Sequence, residues 1–251
     1  MMQGPLDLIA HLSEHNYHPR SDAHSNAICR GILGDLITHC DLIRERARQG
    51  RLVANLNHFA IVNHQRWNID LALGEPPEAA VPPTDEVIAW QPPSTIQIAI
   101  EAKGVMTEHG KARHNRLRDL QAFHSHAHAY DKRVVAVGIV VVNVSRHFWS
   151  PTRGPGVVSE HRNIERIGAE TVALYRNLPI RSDQASAGLD AAAVVVVDHD
   201  NMASSAGLPD DAPRSQTTRL IEKPPAPPVG DPLNYSAMVR RICSAYRHRW
   251  G

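Results

Sequence analysis

Two long apolar runs set the fold class of this chain. Residues 134–144 and 191–197 consist almost entirely of valine, alanine and isoleucine, a composition typical of strands that are buried on both faces. Such strands need helices on both sides of their sheet. The spacing of apolar residues predicts these helices at 24–48, 109–130, 163–177 and 232–249. The sequence therefore predicts an α/β fold in which helices flank a mixed central β-sheet.

Length and composition favour one globular domain over residues 1–251, with 42% hydrophobic and 21% charged residues. Its core is expected at about 24–200, followed by a flexible Pro-, Ser- and Gly-rich loop at 201–232 and a C-terminal helix at 233–250. No apolar run approaches the ~20 residues of a membrane span, and the first ten residues lack the pattern of a secretory signal.

The cysteine pattern and the net charge give two further expectations. Cys29, Cys40 and Cys243 have no paired spacing, which predicts neither a disulfide framework nor a zinc site and favours a reducing, cytoplasmic location. The net charge of +1 gives no support to nucleic-acid binding by itself. Any binding to nucleic acid must therefore depend on how the charges are distributed.

Charged residues interrupt two neighbouring strands of the expected sheet. Residues 95–104 form an apolar strand that carries Glu101 and Lys103, and residues 67–74 form a second strand that carries Asp70. Side chains alternate along a strand, so Glu101 and Lys103 share one face while Ala102 lies on the other. One interpretation is a solvated ion pair on an edge strand, with Asp70 at a hairpin. The other is an active site.

An acid on one strand, followed by Glu-x-Lys at the end of the next, resembles the active-site motif of the PD-(D/E)xK nuclease superfamily. The order of elements from residue 24 to residue 144, a helix, three strands, a helix and a strand, agrees with that resemblance. Ile69 stands where the proline of the motif name would be. The resemblance implies a restriction-endonuclease-like core and a catalytic set of Asp70, Glu101 and Lys103.

The resemblance also implies a metal site. Asp70 and Glu101 would bind Mg²⁺, which Mn²⁺ could replace, and the backbone carbonyl of Ala102 is a natural third ligand because Mg²⁺ prefers oxygen. Lys103 would lie beside the attacking water. A further acid from the first helix often assists such sites, and Asp35 is the best placed for that role. A solvent-facing Asp35 is the alternative.

The helix after Lys103 carries a row of basic side chains, Lys111, Arg113, Arg116 and Arg118. Lys111, Arg113 and Arg116, together with His109, are expected to contact the phosphates of DNA. A merely solvated helix face is the alternative. Two histidine groups, His11, His15 and His18, and His124, His126 and His128, could hold zinc, although no cysteine or acid completes either set.

These features together predict a Mg²⁺-dependent endonuclease that hydrolyses phosphodiester bonds in double-stranded DNA. A homodimeric, sequence-specific type II restriction enzyme is favoured, with recognition elements expected at 75–93, 145–162 and 198–232. Three alternatives stay open: a nuclease of repair or phage defence without strict specificity, a catalytically silent DNA-binding protein of the same fold, and a zinc protein. The sequence contains neither a Walker glycine-lysine loop nor a Gly-x-Gly-x-x-Gly turn, which disfavours a nucleotide-binding enzyme of either type.

Overall fold

A computed structural model describes residues 2–78, 80–81, 86–107, 109–150, 152, 157–202 and 217–251. Its central feature is a mixed sheet of seven strands in the order β3-β1-β2-β4-β5-β8-β9. The strands are β1 (Val53–Val62), β2 (Gln65–Gly74), β3 (Ala89–Trp90), β4 (Ile98–Val105), β5 (Val135–Asn143), β8 (Ala191–His199) and β9 (Thr218–Ile221). A separate hairpin pairs β6 (His147–Trp149) with β7 (Val158–Glu160).

Helices cover both faces of the sheet and enclose two hydrophobic cores. On one face lie α1 (Gly4–Glu14), α2 (Ala23–His39), α3 (Asp41–Arg48) and α6 (Tyr235–Trp250). On the other face lie α4 (His109–Tyr130) and α5 (Ile164–Tyr175). The predicted α/β class, with a mixed central sheet flanked by helices, is confirmed. Among the described residues, no helix has both the length and the apolar character needed to cross a membrane.

The centre of the sheet is parallel and deeply buried. β4, β5 and β8 run parallel, connected through α4 and α5, and every residue of β5 is buried. This confirms the prediction that the two apolar runs form strands with both faces covered. The carboxyl ends of parallel strands are the usual location of sites in such sheets, and Glu101 and Lys103 lie in the middle of β4.

The structure differs from the sequence prediction at several elements. The helix expected at 24–48 divides into α2 and α3 at Cys40, whose backbone is extended (φ −115°, ψ 95°). α1, β3, β9 and the β6–β7 hairpin were not predicted. Each of these strands has at most four residues, and α1 begins within the first ten residues, which were tested only for a secretory signal. The flexible loop expected at 201–232 contains β9, while its residues 203–216 lie outside the described part.

Cys40 and Cys243 form a disulfide, with a Cα–Cα distance of 5.4 Å. The expectation that the cysteines stay unpaired is therefore wrong for these two, and the cysteine argument for a reducing compartment no longer holds. The bond connects the junction of α2 and α3 to the middle of α6 across 203 residues of sequence. Cys29 is buried and free.

This pairing predicts a definite thiol count. Unfolding without reductant should expose one reactive thiol, that of Cys29, whereas unfolding after reduction should expose three, as read by maleimide labelling and mass spectrometry. Reduction should also lower the free energy of unfolding by up to about 5 kcal/mol, the chain-entropy estimate for so long a loop. Three labelled thiols without reductant would contradict the disulfide. A Cys29→Ser variant controls for labelling of the buried thiol.

Candidate active site

The site forms where β2 and β4 separate. The two strands are paired from Leu73–Ile98 to Leu71–Ile100, and the pairing stops before Asp70 and Glu101, which would be the next opposed residues. β4 remains paired with β5 on its other side as far as Val105. In the gap, the backbone N–H of Ala102 donates to the Asp70 carboxylate at 2.7 Å. Asp70 thus satisfies a strand N–H that the sheet leaves unpaired.

A local irregularity in the β1–β2 ladder directs Asp70 into this gap. Ile69 packs in the core under α4, whereas Leu71 packs in the core under α1 and α2. Residues two apart on a regular strand share one face, so the regular alternation of β2 is interrupted at Asp70. The ladder on the β1 side skips the same point, where Asn57 has a left-handed backbone (φ 51°), a conformation that asparagine tolerates.

Glu101 and Lys103 form an ion pair on one face of β4. Their side chains are only 12% and 22% exposed, and Ala102 packs with the opposite core, as the alternation predicted. β4 is the fourth of seven strands. The alternative of a solvated pair on an edge strand is therefore wrong.

The electrostatics of this cluster disfavour two free carboxylates. Burial, reinforced by the charge of Asp70, raises the pKa of Glu101 to about 7. Burial also raises the pKa of Asp70, against the opposing effects of the Ala102 N–H and Lys103. Burial alone would lower the pKa of Lys103, but the Glu101 and Asp70 charges outweigh it and raise that pKa. The pair can therefore take up a proton or a cation readily.

An open groove begins at Asp70 and Lys103, and Glu101 does not line it. Its first part is lined by Asp70, Ala102 and Lys103 together with residues of the α1–α2 segment and Arg116 of α4. Its second part is lined by polar and basic side chains: Thr107, Lys111, Asn115, Arg116, Ser150 and Thr152. Tyr17, Gly104 and Arg116 line both parts, so one groove connects an acidic end to a basic end.

Of the residues predicted to contact DNA, Lys111 and Arg116 line the groove, and Arg116 also pairs with Asp119 at 3.0 Å. His109 and Arg113 do not line it. His109 is 4% exposed, and its Nε2 lies 2.7 Å from the carbonyl oxygen of Asn143. Arg113 pairs with Glu170 of α5 at 3.2 Å. The expectation that His109 contacts a substrate is wrong, because the helix rotates it into the protein interior.

Asp35 lies apart from the carboxylate pair. Its buried carboxylate accepts hydrogen bonds from the backbone N–H groups of Gln3 and Gly4 and from the Tyr235 hydroxyl, each at 2.8 Å. These contacts satisfy the free N–H groups at the start of α1. The predicted role of Asp35 in the metal site is therefore replaced by a structural role.

Sequence reasoning missed the contribution of the segment between α1 and α2. Asp22, directly before α2, lines the acidic end of the groove, and its charge contributes to the raised pKa of Asp70. The position of Asp22 just before a predicted helix was the only feature of the sequence that could have drawn attention to it. Tyr17 and His24 line the same wall, and nothing in their spacing pointed to it.

The histidine groups do not form a metal site in the described ranges. There, no three His, Cys, Asp or Glu side chains are arranged to hold an ion. His11 stacks on His15 at 4.6 Å between ring centroids, and His126 lies 3.4 Å from Gln65. The zinc interpretation thus gains no support from these residues.

The sequence matches no protein-family model, and comparisons with curated proteins and with solved structures find no match.

The raised pKa of Glu101 predicts a pH-dependent stability difference between wild type and Glu101→Gln. An acid whose pKa is higher in the folded chain than in the unfolded chain loses stabilisation as pH rises between the two values, here from about 4.5 to about 7. The glutamine variant has no such titration. Its free energy of unfolding, measured in urea with EDTA, should therefore rise relative to wild type by about 1–3 kcal/mol over that range.

The exposed Glu165→Gln exchange on α5 serves as the matched control and should follow wild type at every pH. Parallel stability curves for wild type and Glu101→Gln would show that Glu101 is not held in an unfavourable charged state.

Proposed function

We propose that this chain is a metal-dependent nuclease whose active site is Asp70, Glu101 and Lys103, in the arrangement that resembles the PD-(D/E)xK superfamily. The observation that carries the proposal is the placement of two largely buried acids at the adjoining positions where β2 leaves β4, with Lys103 ion-paired to Glu101. A buried, partly unfavourable charge cluster on a central strand is costly. It is the pattern expected where chemistry requires the charges.

The donor set suits Mg²⁺. The carboxylates of Asp70 and Glu101 and the carbonyl of Ala102 are hard oxygen ligands, which Mg²⁺ and Mn²⁺ prefer. Burial and the charge of Asp70 raise the pKa of Glu101, and burial and the charge of Asp22 raise the pKa of Asp70. A bound dication would offset both effects. When bound, it supplies a more acidic water and neutralises charge on a phosphodiester undergoing hydrolysis.

The protein's own residues account for positioning and charge. Lys103 keeps a positive charge beside the acids and can orient the attacking water or stabilise negative charge on the phosphate. Lys111 and Arg116, further along the groove, can hold the flanking phosphates. The continuous groove thereby provides one site for the reacting bond and another for the strand that carries it.

Double-stranded DNA is the substrate that we propose, and a sequence-specific restriction enzyme is the favoured type. Cutting both strands requires two such sites, which a homodimer would supply. A repair or phage-defence nuclease without strict specificity is the second candidate, since fold and site alone do not distinguish the two. A silent DNA-binding protein has no need for a buried acid pair with its lysine, and for that reason it is less favoured.

The experiment that tests the proposal compares wild type with Lys103→Ala on plasmid and phage DNA in Mg²⁺. Wild type should cut, and the variant should lose at least about a hundredfold in rate, because it removes a charge that acts on the reacting phosphate. EDTA should abolish cleavage. The exposed Lys132→Ala is the matched control and should retain wild-type activity.

Discrete magnesium-dependent bands would favour a restriction enzyme, and nicking or smearing would favour the second candidate. A folded protein that cuts neither DNA nor RNA in Mg²⁺ or Mn²⁺ would overturn the nuclease proposal.

Arg116 gives a separate prediction about the groove. Arg116→Ala should weaken the binding of any duplex about equally and reduce the slope of log affinity against log salt by about one, since one phosphate contact is lost. Fluorescence anisotropy at several salt concentrations measures both effects. The control is Arg118→Ala, an exposed α4 arginine bonded to His114 and Asn115. Equal salt slopes for the two variants would exclude Arg116 from the phosphate path.

A further inference from the structure

A two-stranded arm projects from the sheet next to the candidate active site. Beyond the point where β2 leaves β4, β1 and β2 stay paired with each other from His58–Ile69 to Val62–Gln65. The turn at the tip uses Asn63 and His64, both with positive φ, as tight hairpins require. We call residues 58–69 the arm.

The inner face of the arm is fixed to the protein. Trp67 packs against Phe123 and Tyr130 of α4, with ring centroids 5.5 and 6.1 Å apart. Val62 and Ile69 belong to the same core. Because these side chains are buried, the arm is held rigidly in place and its outer face is presented in one orientation.

The outer face carries two cross-strand pairs, Phe59 with Asn68 and Ile61 with Arg66. Phe59 is 51% exposed and Ile61 is 62% exposed, two of the few large apolar side chains on the described surface. The Arg66 guanidinium lies 4.3 Å from the centre of the Phe59 ring, and its Nε donates to Asn68 at 2.8 Å. The outer face is thus an exposed patch that combines apolar, amide and cationic groups.

The charge and composition of the arm suit a nucleic acid that is recognised by its base sequence and not by its phosphates alone. From Val53 to Ile69 the sequence has no aspartate or glutamate, and it has five side-chain amides, Asn55, Asn57, Asn63, Gln65 and Asn68. Amides and arginine form paired hydrogen bonds with base edges, and apolar side chains contact the thymine methyl group. A two-stranded ribbon is one of the elements that the major groove admits.

The arm joins the candidate site directly through β2, which carries Asp70 just beyond the arm. Alternation along β2 places Arg66 and Asn68 on the outer face, and Asp70 follows two residues after Asn68, where its carboxylate turns to the Ala102 N–H. With a strand rise of about 3.4 Å per residue, Arg66 lies roughly 13 Å from Asp70. That span corresponds to about four base pairs of B-DNA. A duplex seated on the outer face would therefore lie within one helical turn of Asp70, which lines the groove.

We propose that the outer face of the arm, Phe59, Ile61, Arg66 and Asn68, is the sequence-reading surface of this protein and enters the major groove of duplex DNA about four base pairs from the cleaved bond. The inference rests on the proposed nuclease function for its substrate. It adds the element that selects the sequence, outside the three segments that the sequence had suggested for recognition.

The test selects preferred sequences from a pool of randomised duplexes, bound in Ca²⁺, a cation with the same preference for oxygen ligands. Wild type should enrich a defined sequence. Arg66→Ala/Asn68→Ala should bind that sequence about tenfold or more weakly and enrich nothing. The matched control, Arg162→Ala/Asn177→Ala, removes an exposed arginine and an exposed asparagine flanking α5 and should select as wild type does. Arg66→Gln, which keeps a long polar side chain, is a second arm variant, and circular dichroism checks that every variant is folded.

Each other outcome has a definite meaning. If the arm variants enrich the same sequence as wild type, the arm proposal is overturned. It is also overturned if wild type enriches no sequence, whether or not the protein cuts DNA. If selection depends on the arm but no cleavage occurs in Mg²⁺ or Mn²⁺, the proposal for the arm is supported and the nuclease proposal fails. If the arm variants change sedimentation from dimer to monomer without changing selection, the outer face contacts a second copy of the chain, which also overturns the proposal.

Discussion

The hydrogen bond from the Ala102 N–H to the Asp70 carboxylate is the contact on which the site depends. β4 loses its partner β2 after Ile100 but stays paired with β5 as far as Val105. The backbone groups of β4 that face β2 would therefore be left without a partner. An unsatisfied buried N–H costs about 1–3 kcal/mol. Asp70 accepts the hydrogen bond from that N–H. The bond satisfies the exposed strand edge and holds the Asp70 carboxylate close to Glu101.

That arrangement explains how a costly charge cluster persists in a stable fold. Two apolar cores hold β4 from both faces, and β5 is buried along its whole length. Lys103 offsets part of the repulsion between the acids, yet the pKa of Glu101 remains raised. The rigid scaffold therefore tolerates a local electrostatic penalty, as functional sites commonly require.

The sequence predicted what local periodicity controls and missed what distant packing controls. The alternation of β4 correctly put Glu101 and Lys103 on one face. The role of Asp35 depends on the docking of α1, whose first residues lie 31 and 32 positions away. The Cys40–Cys243 bond joins residues that no spacing rule relates. The burial of His109 depends on the rotation of α4 about its axis. The few apolar residues of that helix do not allow its rotation to be predicted from the sequence.

The most direct test of the account is a titration with Mn²⁺, followed by electron paramagnetic resonance of the free ion, because it probes the acid pair without a substrate. We expect one bound Mn²⁺ per chain that Mg²⁺ displaces. Binding should be lost in Asp70→Asn and in Glu101→Gln and kept in Glu165→Gln. Undiminished binding in both site variants, or none by wild type at millimolar Mn²⁺, would contradict the central claim that Asp70 and Glu101 form a divalent-cation site.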